Sequence, residues 1–491
     1  VKPASTPPAG GDSARVGLNL VALVFAKLVT MALSFVQMGI IIRALGQEGV
    51  GQFTFALNFP ALFAVFATLG IQRLLVRDIS RDPAIAWRYA WTALAVVFMM
   101  AGGVQVLVSL SAMLVHGDPV TQRAVMLASL SVVFLWAVQT PFEALITARE
   151  RMGLLACVYL LAAVLKLASV FVILQFAPSS AAAHGAIAAG NLIALLACMG
   201  VAFAVAGWER PSFEFRLALE QIRECIPFTA AMLCSQLYFR ADVTVLTLMR
   251  GEADAGLYGP VQRVIEPVVM IAGIWGTAVF PALCRLSVDA PERYARLKRT
   301  TIRLALVVAF PMAAGIALIA EPIIRLLAGD QFDDFVPSVL LLQWMVIIIP
   351  AFYLNGIGQE FFYAAHRNWF VVRAYAAAAV LSLGINIALV PSMGVWAVPI
   401  AATTANFVIA ALFIHGLQEE FGNMRLIALV SKTLLACAAM AAVVLLLAPV
   451  SLLAAIIVGA GVYGLAQYAL RVLEPDERAV ATAIVQRVRR R

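Results

Sequence analysis

Apolar runs dominate the chain, and most are too long and too uniform to be one face of a soluble helix. Leu18–Ile42, "LNLVALVFAKLVTMALSFVQMGIII", and Leu154–Leu174, "LLACVYLLAAVLKLASVFVIL", are typical. About 20 such residues cross a hydrocarbon core of about 30 Å as a helix. A window of about 19 residues predicts fourteen spans, at 16–42, 50–71, 88–115, 121–146, 153–176, 185–207, 226–249, 257–282, 301–327, 338–363, 370–390, 394–416, 427–448 and 451–470. The expected fold is an all-α polytopic membrane protein. Composition agrees: 63% of the 491 residues are hydrophobic and 13% charged, against roughly 45–50% and 25% in soluble domains.

The polar punctuation sets the orientation. With the N-terminus inside, 27 of the 35 Lys and Arg fall on the inner loops, their flanking turns and the two tails. The positive-inside rule then places both termini in the cytoplasm. This bias also accounts for the net charge of +8 and leaves no need for nucleic acid as a partner. The start, "VKPASTPPAGGDSARVG", reads as a short cytoplasmic tail rather than a signal peptide, because the apolar run after it is too long and has no cleavage site. The end, "EPDERAVATAIVQRVRRR", has two readings, a basic amphipathic helix on anionic membrane lipid or a solvated stop signal. Six scattered cysteines suggest neither a disulfide framework nor a metal site. The outer connections, such as "GQEG", "GEADAG" and "PSMG", are too short for a domain, so function is expected between the helices.

Two stretches repeat. Gly46–Phe53, "GQEGVGQF", and Gly251–Tyr258, "GEADAGLY", share the pattern G-x4-G-x-aromatic, and each opens a span with a proline, Pro60 or Pro267. "GAIA" at Gly185–Ala188 and "GVWA" at Gly394–Ala397 form a second echo, after Pro178 and Pro391. The units are six spans apart and enter the membrane from the same side, so a duplication makes them parallel repeats, with the substrate expected between two lobes. The predicted organisation is a cytoplasmic tail 1–15, an N-lobe 16–207, a linker 208–225, a C-lobe 226–416, an added helix pair 427–470 and a basic tail 471–491.

Charges inside spans carry the chemistry. Lys27, Lys166 and Arg240 fall near the middle of the first, fifth and seventh spans, and Arg263 lies in the eighth, three residues before Glu266. Arg263 and Glu266 can pair along one helix face. Arg240 and Asp242 cannot serve one local pair, since residues two apart on a helix diverge by about 200°. That leaves an excess of cations at depth, where each costs about 2.5–3.5 kcal/mol on insertion scales. Such cations are expected to meet water or an anion; snorkelling or bonding to carbonyls is the structural alternative for Lys27 and Lys166. Asp242 is a candidate coupling-ion carboxylate, with Asn386, Thr403, Thr404 and Asn406 as neutral oxygen donors; helix packing is the alternative for these four. No cofactor or metal is expected, only H+ or Na+ as a coupling ion.

The stretches "RALGQEGVGQFTFALNFPALFAVFATLGIQRLLVRDISRD" (43–82), "FRADVTVLTLMRGEADAGLYGPVQRV" (239–264), "AEPIIRLLAGDQF" (320–332) and "NIALVPSMGVWAVPIAATTAN" (386–406) resemble the oligosaccharide-lipid flippases of polysaccharide biosynthesis. That family belongs to the superfamily of multidrug extruders and the peptidoglycan-precursor flippase. The resemblance implies two six-helix lobes with alternating access, and transfer of an undecaprenyl-pyrophosphate-linked glycan from the inner to the outer leaflet of the bacterial inner membrane. By the same analogy Lys27, Lys166 and Arg240, with Arg263 nearby, face the substrate, and Asp242 binds the coupling ion. Expected partners are the polymerase and glycosyltransferases of the pathway. The rival readings are a peptidoglycan-precursor flippase, a multidrug extruder, or a membrane glycan polymerase or ligase. The chain shows neither a phosphate-binding loop nor a large outer loop for an enzyme.

Overall fold

A computed structural model describes residues 11–472 apart from 116, 290, 366, 419–425 and 449. Most of the expected tails 1–15 and 471–491 lies outside that range. The described residues form seventeen α-helices: α1 (Gly11–Thr68), α2 (Ile71–Arg81), α3 (Ala86–Val115), α4 (Pro119–Ser129), α5 (Trp136–Ala148), α6 (Met152–Phe176), α7 (Ser180–Ala206), α8 (Phe215–Arg250), α9 (Glu252–Asp289), α10 (Pro291–Leu318), α11 (Ala320–Ala328), α12 (Val336–Met345), α13 (Ile348–Ala364), α14 (Asn368–Met393), α15 (Ala397–Gly416), α16 (Leu426–Leu447) and α17 (Leu452–Ala469). A π-helical segment, Leu130–Leu135, joins α4 to α5 without a break.

Among the described residues, nine helical stretches are long and apolar enough to cross a membrane, or ten with one bent pair. Two of them, Phe25–Arg81 and Asn368–Gly416, are 57 and 49 residues long, about 85 and 73 Å at 1.5 Å per residue. Each is long enough for two crossings. The first breaks at Gly46 (φ 67°), the second at Gly394 (φ 58°), positive-φ positions that glycine occupies without steric cost. α8 and α9 have the length but carry ionisable residues within their apolar runs. The structure is therefore consistent with fourteen crossings. Two expected spans, 301–327 and 338–363, divide differently: α10 ends at Leu318, and Ala320–Met345 continues into Ile348–Ala364 through a 49° bend. Pro350 explains the bend, because it cannot donate to the carbonyl four residues back and its ring crowds that turn.

The chain forms two compact units. The first comprises residues 1–259 with 329–331, and the second 260–328 with 332–491. The segment 208–225, expected as a linker, and the span 226–249 both belong to the first unit, so the expected C-lobe 226–416 and the second unit do not coincide. Local bonds give the reason. Trp87 Nε1 donates to Ala206 O (3.1 Å), Trp91 Nε1 to Glu209 O (3.2 Å), Gln221 Nε2 to Tyr89 O (3.3 Å) and Thr229 Oγ1 to Leu69 O (3.0 Å). Arg77 also pairs with Asp78 and Glu224 (2.7 and 2.6 Å). These exposed pairs hold the Arg77 guanidinium firmly charged but add little stability.

In the first unit Trp87, Trp91, Phe142 and Phe203 pack together. In the second, Phe362, Phe370 and Phe413 do the same, and α16 and α17 fasten to α10 through Tyr463, whose hydroxyl donates to Val307 O (2.5 Å) and accepts from Gln467. Tyr463→Phe is expected to lower stability by about 1 kcal/mol, read as a small drop in the thermal midpoint of the detergent-solubilised protein.

The duplication is visible in backbone geometry. Gly46 (φ 67°, ψ −176°) and Gly251 (φ 90°, ψ −174°) turn the chain alike. A third matched pair carries almost no sequence signal: Arg149 and Ala365 cap their helices at φ −89°, ψ 10° and φ −88°, ψ 10°, and Arg151 and Arg367 both follow at φ −95°, ψ 43°. The bonds match too, Arg151 N to Ile146 O and Arg367 N to Phe362 O. The fold is thus an internally repeated helical bundle with a C-terminal helix pair.

Candidate functional site

The two glycine motifs pack against each other within the first unit. A Cβ at Gly51 would stand 1.8 Å from Glu252 O, and one at Gly256 2.0 Å from Gln47 O. Gly51 and Gly256 hold the same place in their motifs, as do Gln47 and Glu252, so the crossing of α1 and α9 has local two-fold symmetry. Small residues permit this approach of main chains, as at other membrane helix crossings. Gln47 Nε2 donates to Ala253 O (3.0 Å), and Gln52 Nε2 to Asp118 Oδ2 and Glu252 Oε2 (both 3.2 Å). Thr121 bonds Asp118 (2.8 Å) and also Glu252.

Four of the predicted site residues belong to the same unit. Arg240, half-buried on α8, donates from Nη1 to Asn58 Oδ1 of α1 (3.0 Å), while its buried Nε has no partner. Asp242, 8% exposed, accepts from the Tyr258 hydroxyl (3.0 Å) and from Val243 N (2.7 Å). Arg240 and Asp242 therefore bond different elements, as their spacing requires, although each lies in the other's field. Lys166 is half-buried on α6 against Gly190 of α7, where an added Cβ would meet its Cγ at 2.6 Å.

Lys27 is exposed on α1. It is nineteen residues before the Gly46 kink, about 28 Å along the helix, whereas Arg240 is eleven before Gly251, about 16 Å. Lys27 is thus farther from its glycine turn than Arg240 is, and it stands near the middle of the first limb of α1, residues 11–45. Its field reaches Glu143 of α5 only weakly. Glu143 is 4% exposed and accepts from Gln139 Nε2 (2.7 Å) and Gln72 Nε2 (3.2 Å).

The second unit holds the rest. Arg263 Nη1 pairs with Glu266 Oε2 at 3.4 Å, the local pair that the spacing allows. Asn386 is buried, donates to Ser382 O (2.9 Å) and keeps an unpartnered Oδ1. Asn406 donates to Ala402 O (2.9 Å) and accepts from Asn355 Nδ2 (3.3 Å). Thr403 is half-buried, and Thr404 is exposed with its hydroxyl on Ile400 O. Among the described residues no group of three or more His, Cys, Asp or Glu could hold a metal.

Sequence reasoning missed Asn58, Tyr258, Gln72 and Gln139. Each is a polar residue in or beside an apolar run, a signal as visible as the charges and given less weight.

A helical membrane bundle with duplicated halves and ionisable residues inside it defines a multi-pass transporter. The chain belongs to the polysaccharide biosynthesis protein family, whose profile matches residues 16–287. It is 26% identical over 393 residues to the succinoglycan biosynthesis transport protein ExoT of Rhizobium meliloti (strain 1021), covering 78% of this chain and 76% of that protein. Its fold is similar to that of the lipid II flippase MurJ in an inward closed conformation, with a TM-score of 0.71, 11% identity, and 92% and 99% of the two chains covered. It is also similar to an inward-facing MATE multidrug resistance transporter of the MOP superfamily, with a TM-score of 0.64, 15% identity, and 80% and 95% covered.

Proposed function

We propose that this protein carries an undecaprenyl-pyrophosphate-linked oligosaccharide from the inner to the outer leaflet of the bacterial inner membrane, by alternating access, for surface polysaccharide assembly. The observation that carries this reading is the set Lys27, Lys166 and Arg240, contributed by α1, α6 and α8 of one unit of a polysaccharide-biosynthesis transporter. A diphosphate headgroup needs such cations when it leaves water, while its lipid tail stays in the bilayer. A cationic drug would meet repulsion there. Arg263 is a lesser ligand, since Glu266 already neutralises it. On this reading the Gly46 and Gly251 turns face outward and both termini are cytoplasmic. Asp242 is the coupling carboxylate, for a proton, because its oxygens already serve Tyr258 and Val243 N; Asn386, Thr403 and Asn406 are secondary candidates in the second unit. The pathway's polymerase and glycosyltransferases are the natural partners.

The test is export in cells that depend on this protein. Lys27→Ala and Lys166→Ala are each expected to lower surface polymer by about tenfold or more, the loss of a charged hydrogen bond of roughly 1.5–3 kcal/mol, and to accumulate lipid-linked precursor at normal protein levels. Full export by both variants would remove the anionic substrate from the reading.

A further inference from the structure

Both repeats interrupt their fourth span at the same place. The matched turns fix the correspondence: 216 positions separate Arg149 from Ala365 and Arg151 from Arg367, and each pair shares its backbone angles. The same spacing relates Tyr159 to Tyr375 and Glu143 to Gln359. Tyr375 donates to Gln359 Oε1 (3.1 Å), and Tyr159 is a polar neighbour of Glu143. Carried back along the helix, the spacing relates Leu130–Leu135, the π-helical segment between α4 and α5, to Val346–Ala351, where α12 breaks before α13.

The two interruptions depart from the α-helix in opposite senses. In the first unit Trp136 N donates to Ser131 O, five residues back, so the turn is wide. In the second, Ile347 N donates to Trp344 O (3.3 Å) and Ile349 N to Val346 O (3.0 Å), each three residues back, so the turn is tight. Pro350 has no N–H and keeps the four-residue bond to Val346 O from forming. Backbone groups freed within a membrane find no water and need partners from the protein. The first unit holds side chains for them. Ser129 Oγ (2.9 Å) and Gln105 Nε2 (3.3 Å) both donate to Met126 O, and Asn191 of α7 donates to Ser131 Oγ. Gln105 Oε1 is buried without a partner and can accept an N–H that a change of register releases.

We propose that the fourth span of each repeat is a jointed helix, and that the joint exchanges its wide and tight turns as the transporter changes state. The two units hold one joint in its two settings. A shift of hydrogen-bond partners there tilts the arm that follows, Trp136–Ala148 or Ile348–Ala364, while the helix on either side stays regular. That arm carries Gln139 and Glu143 in one unit, and Asn355 and Gln359 in the other. The joint therefore moves the polar side chains of its span. This rests on the protein being a transporter and not on a diphosphate cargo.

Deletion of Val132 from the full-length protein tests the first joint. A π-bulge accommodates one extra residue, so the deletion lets regular bonds run from α4 into α5 and keeps the register on both sides. The variant is expected to reach the membrane at normal abundance, to keep its thermal midpoint in detergent and to lose polymer export. Deletion of Val125, in the regular helix, shifts the register and is expected to deplete folded protein. Full export by the Val132 deletion overturns the proposal. Should that deletion fail to fold, Pro350→Ala decides. Its new N–H can reach Val346 O, so the thermal midpoint is expected to hold or rise while export falls. Unchanged export by Pro350→Ala overturns the proposal. Full export by Lys27→Ala and Lys166→Ala removes the diphosphate and leaves the joint standing, so the two failures are distinct.

Discussion

Gly51→Leu and Gly256→Leu are each expected to abolish polymer export and to deplete folded protein from the membrane. The Cβ of any side chain at these positions would lie 1.8 or 2.0 Å from a main-chain carbonyl oxygen, where ordinary contact begins at 3.4 Å. The obstacle is backbone on a helix, so no rotamer change relieves it, and α1 and α9 must part by about 1.5 Å. Overpacking of this kind costs about 1–3 kcal/mol or more, and here the separation would also break the bonds from Gln47 to Ala253 O and from Gln52 to Glu252. Gly102→Leu and Gly103→Leu are the controls, since an added Cβ there meets nothing within 4 Å. Thermal unfolding in detergent, membrane abundance and surface polymer are measured together. Normal values for Gly256→Leu would show that the crossing is not needed tightly closed.

Much of this architecture is legible in the chain because bilayer crossing imposes length and hydropathy on every span. The repeat is legible where it uses glycine: Gly46 and Gly251 keep a backbone conformation that other residues adopt only with strain. It is invisible at Arg149 and Ala365, where different residues cap their helices at the same negative φ. No sequence pattern shows that the two glycine motifs cross each other, because that contact joins residues about two hundred positions apart through main-chain atoms common to all residues.

The site was legible as charge but not as depth or partnership. Lys27 is an example: the apolar run shows a charge within the span, but not its exposure or its distance from the Gly46 kink. Asp242 is another, since its acidity and burial follow from the sequence but the Tyr258 hydroxyl that holds it comes from the next helix. Glu143 stands near the end of the predicted span 121–146, and only the packing of α2, α5 and α6 shows how it is enclosed.

Arg240→Ala is expected to have the largest effect among the charge substitutions, with export reduced to background and normal membrane abundance. Its guanidinium is divided between a structural bond to Asn58 at 3.0 Å and a buried Nε with no protein partner. An unpaired buried donor costs about 1–3 kcal/mol, and a phosphoryl oxygen satisfies it with charge assistance. The two functions predict different behaviour in substitutions. Arg240→Lys keeps the charge but loses the planar fork, so it can face an anion or bond Asn58, and partial export is expected. Asn58→Ala removes the orienting acceptor while leaving the cation, so affinity for undecaprenyl diphosphate should fall less than in Arg240→Ala. The double variant should bind no more weakly than Arg240→Ala alone, because without the guanidinium Asn58 has nothing to orient. Additive losses in that cycle would mean that Asn58 acts on its own, and Arg240 would then be a charge held by packing rather than an aimed ligand.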